Sequence, residues 1–409
     1  MLPSDSTPKR SEAAHRFVGL DVHKHYLVAI GIDRQGTQVF GPHHVPIPRL
    51  EEWIAKHLTR QDAVVLEMTT NTWKMHDLLA PHVFSVTVVH PPHVALIVRA
   101  QVKTDKKAAL TLAQLHAAGL LPGVWVPPQE VRELRALVAQ RHKMVRLGAT
   151  TKNRLHALLH ARHIQPPEGT KLFDPETRSW WENLPLSALE LYRLQSDLDA
   201  LDFAKEQVKR LERCLAEFAA RDPRMPLLVQ LPGIGLINGV TILAAIGDIT
   251  RFPDAKSLVG YAGLGARVHL SGNLHVTGRI TKAGRRDLRR SMVEAAHHAV
   301  ECSPHWKAEF ERLEKRKGRS KSVVAVARML LVALWHILTK AEADRHAAPQ
   351  QVATSLFTLA HRVRVQNLPD GQTALQFTRN QLDRLVIGQE VTHIPWGSKR
   401  FKLPPSKLK

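Results

Sequence analysis

Three carboxylates stand in order in the first quarter of the chain: Asp21 in FVGLDVHK, Glu67 in AVVLEMTT and Asp105 in VKTDKKAA. The first two lie on apolar, strand-like runs, and the third opens a segment with helical spacing. Carboxylates at the ends of neighbouring strands form cages for hard divalent cations, which keep open positions for phosphate oxygens. The pattern predicts a site for Mg²⁺ (or Mn²⁺) that acts on phosphodiesters.

Two histidines flank the first of these acids. His23 and His25 follow Asp21 in the run DVHKH. The chain has 24 histidines, but they are scattered and form neither an HExxH motif nor a paired Cys and His spacing. We therefore interpret His23 and His25 as solvated or structural side chains rather than as metal ligands.

A serine in a Gly-rich stretch is a second candidate for chemistry. Ser271 lies in HLSGNLH, and a serine hydroxyl needs a base, a metal or strong stabilisation of the pentacoordinate phosphorus to act as a nucleophile. No Ser-His-Asp pattern surrounds it, so positioning and charge neutralisation would have to supply the rate. From the residues alone, Ser271 also fits a loop or cap serine. The nearby basic residues are Arg267, Arg279, Lys282, Arg285, Arg286, Arg289 and Arg290.

The charge of the chain favours a polyanionic partner. The formal net charge is +21 over 409 residues, which suits a phosphate backbone. Lys103, Lys106 and Lys107 adjoin Asp105. These lysines either bind the scissile backbone or form a solvated helix start.

Two further segments are candidates for nucleic-acid contact. Arg132 and Arg135 open a very basic helix, which either tracks nucleic acid or is a solvated face. Gly233 and Gly235 belong to LPGIG, which is similar to the turn of a helix–hairpin–helix element that presents backbone N–H groups to a phosphate. The alternative for this turn is a purely structural role.

The surrounding segments predict the elements that position these residues. Residues 17–24 and 26–33 predict a β-hairpin, and residues 37–46 a third antiparallel strand. After them the predicted elements alternate, with helices near 48–59, 71–81 and 104–119 and strands near 62–68, 85–90 and 123–127. This order is typical of a ribonuclease-H-like (RuvC-like) α/β domain over 16–128.

The rest of the chain is predicted to be mainly helical. Residues 129–221 have heptad-like apolar spacing and predict a helical coiled-coil arm or connector. Residues 222–345 run from the LPGIG turn through an irregular Gly-rich stretch around Ser271 to a basic helix from about 282. Residues 346–409 form a polar, basic C-terminal extension to which the sequence assigns no task.

Composition excludes several classes of protein. Cys214 and Cys302 are the chain's two cysteines, too few and too far apart for a disulfide scaffold or a thiolate zinc site, and they fit a reducing cytosol. The apolar run 322–338 is interrupted by Arg328 and His336, which predicts a core helix rather than a membrane span. The N-terminal residues lack the apolar region of a secretory signal. We expect a soluble, cytoplasmic, nucleoid-associated bacterial protein.

Several motifs together resemble one known family. The motifs GLDVHK, VxLE, KTDxx(D)A, LPGIG and SGN…GRITKAGRRxLR occur here in the order found in the DEDD insertion-sequence transposases of the IS one-ten type. That family is described as bridge-RNA-guided serine recombinases. The resemblance spans about residues 16–340.

The resemblance implies a fold, a site and partners. It implies a RuvC-like domain over 16–128, a coiled-coil connector and a C-terminal transposase domain that carries a nucleophilic serine. Asp21, Glu67 and Asp105 match the family's first three metal-binding acids, and Ser271 matches its nucleophile. The implied partners are double-stranded DNA (the element ends and the target), a guide RNA encoded by the element, and further copies of the chain.

One departure from the family pattern concerns the fourth acid. The family places it three residues after the third, in TDxxDA, where this sequence has Ala108. Residues i and i+3 share a helix face, so the substitution removes an anionic ligand from the site. The explanations are a natural variant with three carboxylates, an inactivated copy, or a deliberate substitution.

Three functions remain open from the sequence. The first is a transposase or recombinase that cleaves and rejoins DNA through a serine–phosphate intermediate. The second is a Mg²⁺-dependent RuvC-like nuclease in which water attacks and nothing is held covalently. The third is a catalytically decayed nucleic-acid-binding protein, which the missing fourth acid favours.

Overall fold

The chain consists of a mixed α/β unit followed by a mostly helical unit. The structure is a computed structural model that describes residues 14–97, 104–271 and 274–408. For residues 96–97, 269–271 and 274–277 it describes the backbone alone. The two compact units join between Pro127 and Pro128. The finer division that we predict after residues 221 and 345 stays a prediction.

Five strands form the sheet of the first unit: β1 (Arg16–Val22), β2 (Tyr26–Ile32), β3 (Gln38–Pro46), β4 (Asp62–Glu67) and β5 (Ser85–Val89). Their order across the sheet is β3-β2-β1-β4-β5. The β1–β2 and β2–β3 pairs are antiparallel, whereas β4 pairs with β1 and β5 with β4 in parallel. The predicted hairpin, the third antiparallel strand and the two later strands are confirmed.

Side chains of the central strand β1 alternate between two layers of helix. The helices of this unit are α1 (Leu50–His57), α2 (Thr72–Leu79), α3 (Pro91–Ile97) and α4 (Asp105–Ala117). Val18 and Leu20 pack with α1 and α2, whereas Phe17 packs with α4. Because side chains alternate along a strand, Asp21 shares the α4 face of the sheet with Phe17 and Gly19.

The prediction of a strand at residues 123–127 is wrong. Gly123 forms an isolated antiparallel bridge to Val89, and no named strand follows it in this described stretch. Pro122 and Pro127 bound the segment and lack the backbone N–H that a ladder requires. Pairing therefore does not extend beyond one residue.

A long helical hairpin opens the second unit. It consists of α5 (Gln129–Ala161), the short α6 (Arg178–Glu182) and α7 (Ala188–Arg221). Ion pairs join the two long helices at Arg141–Glu212, Arg154–Asp197 and Arg162–Glu190. Residue numbers rise along α5 as they fall along α7, so the helices are antiparallel. The predicted helical hairpin is confirmed, and the coiled-coil geometry stays a prediction.

The remaining elements of the second unit surround one apolar core. They are α8 (Met225–Val229), α9 (Leu236–Ile246), α10 (Ala255–Tyr261), β6 (Ala266–Ser271), β7 (Leu274–Ile280), α11 (Arg286–Cys302), α12 (Pro304–Lys317), α13 (Arg319–Lys340), α14 (Pro349–Arg362), α15 (Ala374–Arg384), β8 (His393–Trp396) and β9 (Lys399–Lys402). The core extends from Leu134 of α5 to Leu403, beyond β9. Residues of the predicted C-terminal extension therefore pack with those of the predicted transposase domain.

We predict an irregular Gly-rich stretch around Ser271, and this prediction is wrong for the described residues. Strands β6 and β7 pair antiparallel from Ala266–Ile280 to Ser271–Leu274. Val268, Leu270 and Val276 supply the apolar residues that favour strand over coil. Residues 272–273 of this stretch lie outside the described residues.

Helix α13 is the one helix in the described residues that is long and apolar enough to cross a membrane by length and composition. Half of its apolar window is buried inside the second unit. Val326, Leu330 and Leu334 are fully buried in the core. These contacts are those of the core helix that we predict.

We expect acid to destabilise the first unit through His116 of α4. Burial lowers the pKa of His116 to about 4, and its ring contacts Phe17 edge-on. The unfolded chain takes up a proton near pH 6.5 while the folded chain does not, so stability falls as the pH drops from about 6.5 to about 4. The full effect is on the order of 3 kcal/mol.

Urea unfolding at about pH 7 and about pH 5 measures this loss. His116→Leu should reduce the difference between the two curves. His82→Leu, a substitution of an exposed histidine in the same unit, should leave the difference as it is in the wild type. Equal pH dependence in wild type and His116→Leu would contradict the assignment.

Candidate functional site

Asp21, His23 and Asp105 converge at the end of β1. The Nε2 atom of His23 lies 3.4 Å from Oδ2 of Asp21 and 3.5 Å from Oδ2 of Asp105. One ligand atom from each of the three residues lies within 4.8 Å of the others. Asp21 reaches this point from the α4 face of the sheet, His23 from the β1–β2 turn, and Asp105 from the first residue of α4.

A glycine permits this convergence. A Cβ atom added to Gly19 would lie 1.9 Å from the carbonyl oxygen of Ala109, so no other residue fits at this position without displacing α4. Gly19 stands two residues before Asp21 on the same face, and Ala109 stands one turn after Asp105. The close approach of strand and helix therefore brings the two carboxylates together.

Asp105 is held at the N-terminus of α4. Thr104 is the N-cap residue, and its side chain accepts a hydrogen bond from the Lys107 N–H at 3.3 Å. The hydroxyl of Tyr26 donates to Oδ2 of Asp105 at 2.9 Å. This hydrogen bond raises the pKa of Tyr26. The helix N-terminus also favours the ionised form of a carboxylate in the first turn.

The side chain of His23 points one ring nitrogen at the two acids. Its Nε2 atom is buried and has no hydrogen-bond partner among the described residues. Its ring stacks on Tyr26, with the ring centroids 4.7 Å apart. A buried, unsatisfied nitrogen that faces two carboxylate oxygens is a donor set that fits a divalent cation.

The acids are also electrostatically coupled. Burial raises the pKa of the Asp21 carboxyl; His23 acts in the opposite direction, and the nearby Asp105 adds to the rise. Two carboxylates this close repel each other unless a positive charge lies between them. The arrangement is therefore suited to a cation.

Glu67 lies on the strand beside Asp21. It is the last residue of β4, and the preceding Leu66 pairs in register with Leu20, so Glu67 stands level with Asp21. Val65 packs on the side of α4, and alternation places Glu67 on that same face. Glu67 is half-buried and does not belong to the three-residue group, but it adjoins that group.

The position of the absent fourth acid is clear in α4. Ala108 lies one turn after Asp105, and its N–H donates to the Thr104 carbonyl at 2.9 Å. Lys106 and Lys107 are exposed on the same helix, and Lys103 lies outside the described residues. Binding of the scissile nucleic-acid backbone by Lys106 and Lys107 stays a prediction.

Ser271 stands at the end of β6, where it pairs with Leu274. Arg267 and Arg279 on the two strands are exposed, and Arg267 donates to the Thr281 carbonyl at 3.3 Å. These positions place a serine at the tip of a basic hairpin. The nucleophilic role of Ser271 stays a prediction.

Some of the basic residues before and along α11 have partners within the protein, and others are exposed. Arg285 pairs with Asp287, and Arg289 donates to the Ala262 carbonyl at 2.8 Å, so both tie α11 to neighbouring backbone and side chains. Arg290 pairs with Glu294 on the surface of the helix. The others, Lys282 and Arg286, are exposed.

Comparison with known proteins decides the family. The N-terminal part, residues 18–164, matches the transposase model DEDD_Tnp_IS110. Residues 225–311 match the model described as "Transposase IS116/IS110/IS902 family". The chain belongs to the IS110 transposase family. The family resemblance inferred from the sequence motifs is thereby confirmed.

Curated relatives match most of this transposase. A transposase for the insertion sequence element IS1111A of Coxiella burnetii is 23% identical over 353 residues, covering 83% of this chain and 94% of the relative. A pilin gene-inverting protein of Moraxella bovis is 27% identical over 335 residues, covering 79% of this chain and 95% of the relative. Both matches extend over the two units.

Two residues predicted to bind nucleic acid have structural partners in this transposase. Arg135 of α5 donates to the Ala244 and Ala245 carbonyls at 2.7 and 2.9 Å, at the C-terminus of α9. Gly233 has a φ of 81°, and a Cβ there would lie 2.4 Å from the Ala295 carbonyl oxygen. Arg135 thus satisfies helix-end carbonyls, and Gly233 permits close approach to α11.

Arg132 and Gly235 remain as predicted nucleic-acid contacts. Arg132 is half-buried on the first turn of α5. Gly235 is the N-cap residue of α9, which lacks a side-chain cap and has no acidic residue in its first turn. The helix therefore presents unneutralised N–H groups at this end.

Two residues beside the acids, His23 and Tyr26, are not among the site residues that we predict from the sequence. His23 was interpreted as solvated or structural, although its spacing of two residues from Asp21 was a signal that both side chains share one face of the chain. Tyr26 carries no comparable signal, since its contact with Asp105 depends on the close packing of β1, β2 and α4. Both contribute to the geometry of this transposase's acidic site.

Replacing Gly19 with alanine should disrupt this site. The added methyl would lie 1.9 Å from the Ala109 carbonyl oxygen. We expect Gly19→Ala to lower the free energy of unfolding by about 1–3 kcal/mol, because the strand or the helix must shift. Urea unfolding measures this loss.

Gly123→Ala is the matched control in the same unit. Its Cβ would make an ordinary contact of 3.4 Å with Thr87. We expect this substitution to change the stability by about 0.5 kcal/mol or less. Similar losses in the two variants would contradict the close approach at Gly19.

Proposed function

We propose that this chain is a recombinase that excises and inserts an insertion-sequence element by cleaving and rejoining double-stranded DNA. The convergence of Asp21, His23 and Asp105, in a chain of a transposase family, is the observation that supports it. By their names, one relative transposes an element and another inverts a pilin gene. Both reactions exchange DNA strands. We infer a soluble, cytoplasmic protein that acts as a homo-oligomer on element ends and target DNA chosen by an element-encoded guide RNA.

We propose that Asp21, Asp105 and Glu67 hold a divalent cation together with His23. The bound cation would polarise a phosphate oxygen and neutralise charge that develops on it. The two aspartates and Glu67 would provide oxygens, and His23 would provide a nitrogen. With Ala108 in the place of the fourth acid, this donor set consists of three carboxylates and one imidazole.

A nitrogen ligand changes the preferred metal. Mg²⁺ prefers oxygen ligands in octahedral geometry, whereas imidazole is better suited to transition metals. Mn²⁺ is the transition ion with the lowest affinity in the order of divalent metals, and it is the one that also suits carboxylate ligands. We therefore propose that this transposase favours Mn²⁺ over Mg²⁺ more than a site of four carboxylates would.

Metal titration of the isolated chain tests this donor set without any catalytic assay. We expect His23→Ala to weaken Mn²⁺ binding by about tenfold or more, with a smaller effect on Mg²⁺. Ala108→Asp should strengthen Mg²⁺ binding, because it adds an oxygen ligand on the same helix face. Isothermal titration calorimetry measures both ions.

His25→Ala is the matched control, since His25 is exposed and lies two residues further along the same turn. Its metal affinity should equal that of the wild type. An equal loss in His23→Ala and His25→Ala, or none in either, would contradict ligation by His23. Asp21→Asn should abolish binding of both metals.

We further propose that Ser271 is the nucleophile. Its Oγ forms a bond to the DNA phosphorus while the bond from phosphorus to one sugar oxygen breaks, and the hydroxyl proton passes to the leaving oxygen. The phosphodiester bond energy is kept in the serine ester, so a second sugar hydroxyl reverses the exchange without ATP. Arg267, Arg279 and Lys282 are exposed near this hairpin and would neutralise the charge on the phosphorus oxygens.

A denaturing gel tests the covalent step. The chain is incubated with element-end DNA, target DNA, RNA transcribed from the element flank, and Mn²⁺ or Mg²⁺. We expect a protein–DNA adduct that disappears in Ser271→Ala and persists in Ser320→Ala, which removes an exposed hydroxyl elsewhere in the second unit. Omitting the RNA should abolish site-specific adducts.

Two other functions predict different results in this assay. A hydrolytic nuclease would give free cleaved ends without an adduct, unchanged by Ser271→Ala and lost in Asp21→Asn. A decayed protein is favoured by Ala108 alone, and it would give no cleavage unless Ala108→Asp restored it. Either result would replace the serine mechanism.

A further inference from the structure

A large groove opens in the second unit, away from the acidic site in sequence. It has a volume of about 1170 Å³. Its walls come from the long helices α5 and α7, the turn before α9, and the helices α11 and α14. It thus combines elements from the predicted arm, the predicted transposase domain and the C-terminal residues to which the sequence assigns no task.

The groove carries an excess of positive charge. Its cationic lining residues are Arg141, Lys209, Arg213, Arg290, Arg362 and Arg364. Its carboxylates, Glu212 and Glu294, are paired with Arg141 and Arg290 at 2.7 and 2.8 Å. Four cations therefore remain beyond these internal pairs.

Three of these four cations have no carboxylate partner. Lys209, Arg362 and Arg364 form no ion pair within the described part of the chain, and Arg213 reaches Glu206 only at 3.9 Å. All four side chains are exposed, and a groove lined mainly by one sign of charge raises the local concentration of the opposite charge. The excess charge therefore points to an anionic ligand.

The N-terminus of α9 adds to this charge. Gly235, Leu236 and Asn238 line the groove, so the end of the helix with free N–H groups faces into it. This helix of 11 residues has neither a side-chain cap nor an acidic residue in its first turn. Free N–H groups at such an end bind phosphate oxygens.

The uncharged lining favours a backbone over bases. Among the described residues, no Phe, Trp or Tyr lines the groove, which argues against the stacking by which proteins hold unpaired bases. Thr354, Ser355 and Thr358 on α14 offer hydroxyl groups instead. Hydroxyls, arginines and helix N-termini are the groups that contact phosphates of a duplex without reading its sequence.

We propose that this groove binds the sugar–phosphate backbone of double-stranded DNA, with Arg362 and Arg364 forming one wall and Lys209 and Arg213 the other. This inference rests on the proposed function only in that DNA is the substrate. It assigns a task to the C-terminal residues, which carry α14 and the turn where Arg364 takes a φ of 68°. The α14 end is thus a binding wall rather than an appendage.

Duplex binding by the full chain tests the groove. The probe is a short fluorescent DNA duplex of mixed sequence, titrated by anisotropy over a series of salt concentrations. For the double variant Arg362→Gln/Arg364→Gln we expect about tenfold weaker binding near physiological salt. The slope of log affinity against log salt should fall by about 2, because two phosphate contacts are lost.

The matched control is Lys315→Gln/Arg316→Gln. It removes the same charge from exposed positions of α12, which do not line the groove. An equal loss in this control would overturn the proposal, because it would reduce the effect to net charge. So would a loss confined to an RNA duplex of the same sequence, because the ligand would then be RNA.

A second pair of substitutions separates an effect on DNA binding from an effect on folding. Lys209→Gln/Arg213→Gln alters the opposite wall and should weaken DNA binding in the same way, with thermal unfolding unchanged. If neither pair weakens DNA binding, the groove proposal is wrong.

The adduct assay separates this proposal from the proposed function. A Ser271-dependent adduct that forms normally in both groove variants, with wild-type DNA affinity, would refute the groove alone. Groove-dependent DNA binding without any adduct in the wild type would refute the serine mechanism and leave the groove in place.

Discussion

The acidic site depends on one missing methyl group. Helix α4 can approach β1 only because Gly19 has no side chain, and a Cβ there would lie 1.9 Å from the Ala109 carbonyl oxygen. That contact sets the height of α4 over the sheet, and with it the position of Asp105 beside Asp21. The register of β4 against β1 then places Glu67 level with Asp21. Gly19 thus determines how Asp105 approaches Asp21, and the strand register determines the position of Glu67.

The same packing creates an electrostatic conflict that the neighbouring groups only partly relieve. Asp21 and Asp105 both lie within reach of one nitrogen of His23, and burial raises the pKa of Asp21. Tyr26 and the N-terminus of α4 stabilise the charge on Asp105, but neither contributes a net positive charge. A protein tolerates such unfavourable electrostatics where function requires it, because perturbed groups cluster at functional sites. The remaining repulsion is what a bound cation would remove.

Much of this architecture could be predicted from the sequence, and the rest could not for identifiable physical reasons. The apolar runs around Asp21 and Glu67 predict buried strands because both faces of the sheet are covered, and TDKKAA predicts a helix start because Thr104 is a good N-cap. The strand prediction at residues 123–127 failed because the apolar residues favour a strand, whereas the flanking prolines lack the backbone N–H groups that strand pairing requires. The contacts of His23 and Tyr26 with Asp105 and of Arg135 with α9 could not be predicted, because they depend on partners 79 to 110 residues away or on the turn geometry between strands. Local patterns carry no information about such partners.

The structure bears on why Ala108 stands where the family has an acid. An inactivated copy has no selection on the remainder of its site, so unrelated supporting contacts should erode together with the ligand. Here the close approach at Gly19, the hydrogen bond from Tyr26 to Asp105 and the Thr104 cap all persist around the two aspartates. A retained scaffold around the two aspartates is the arrangement expected of a natural variant with three carboxylates, and it argues against decay.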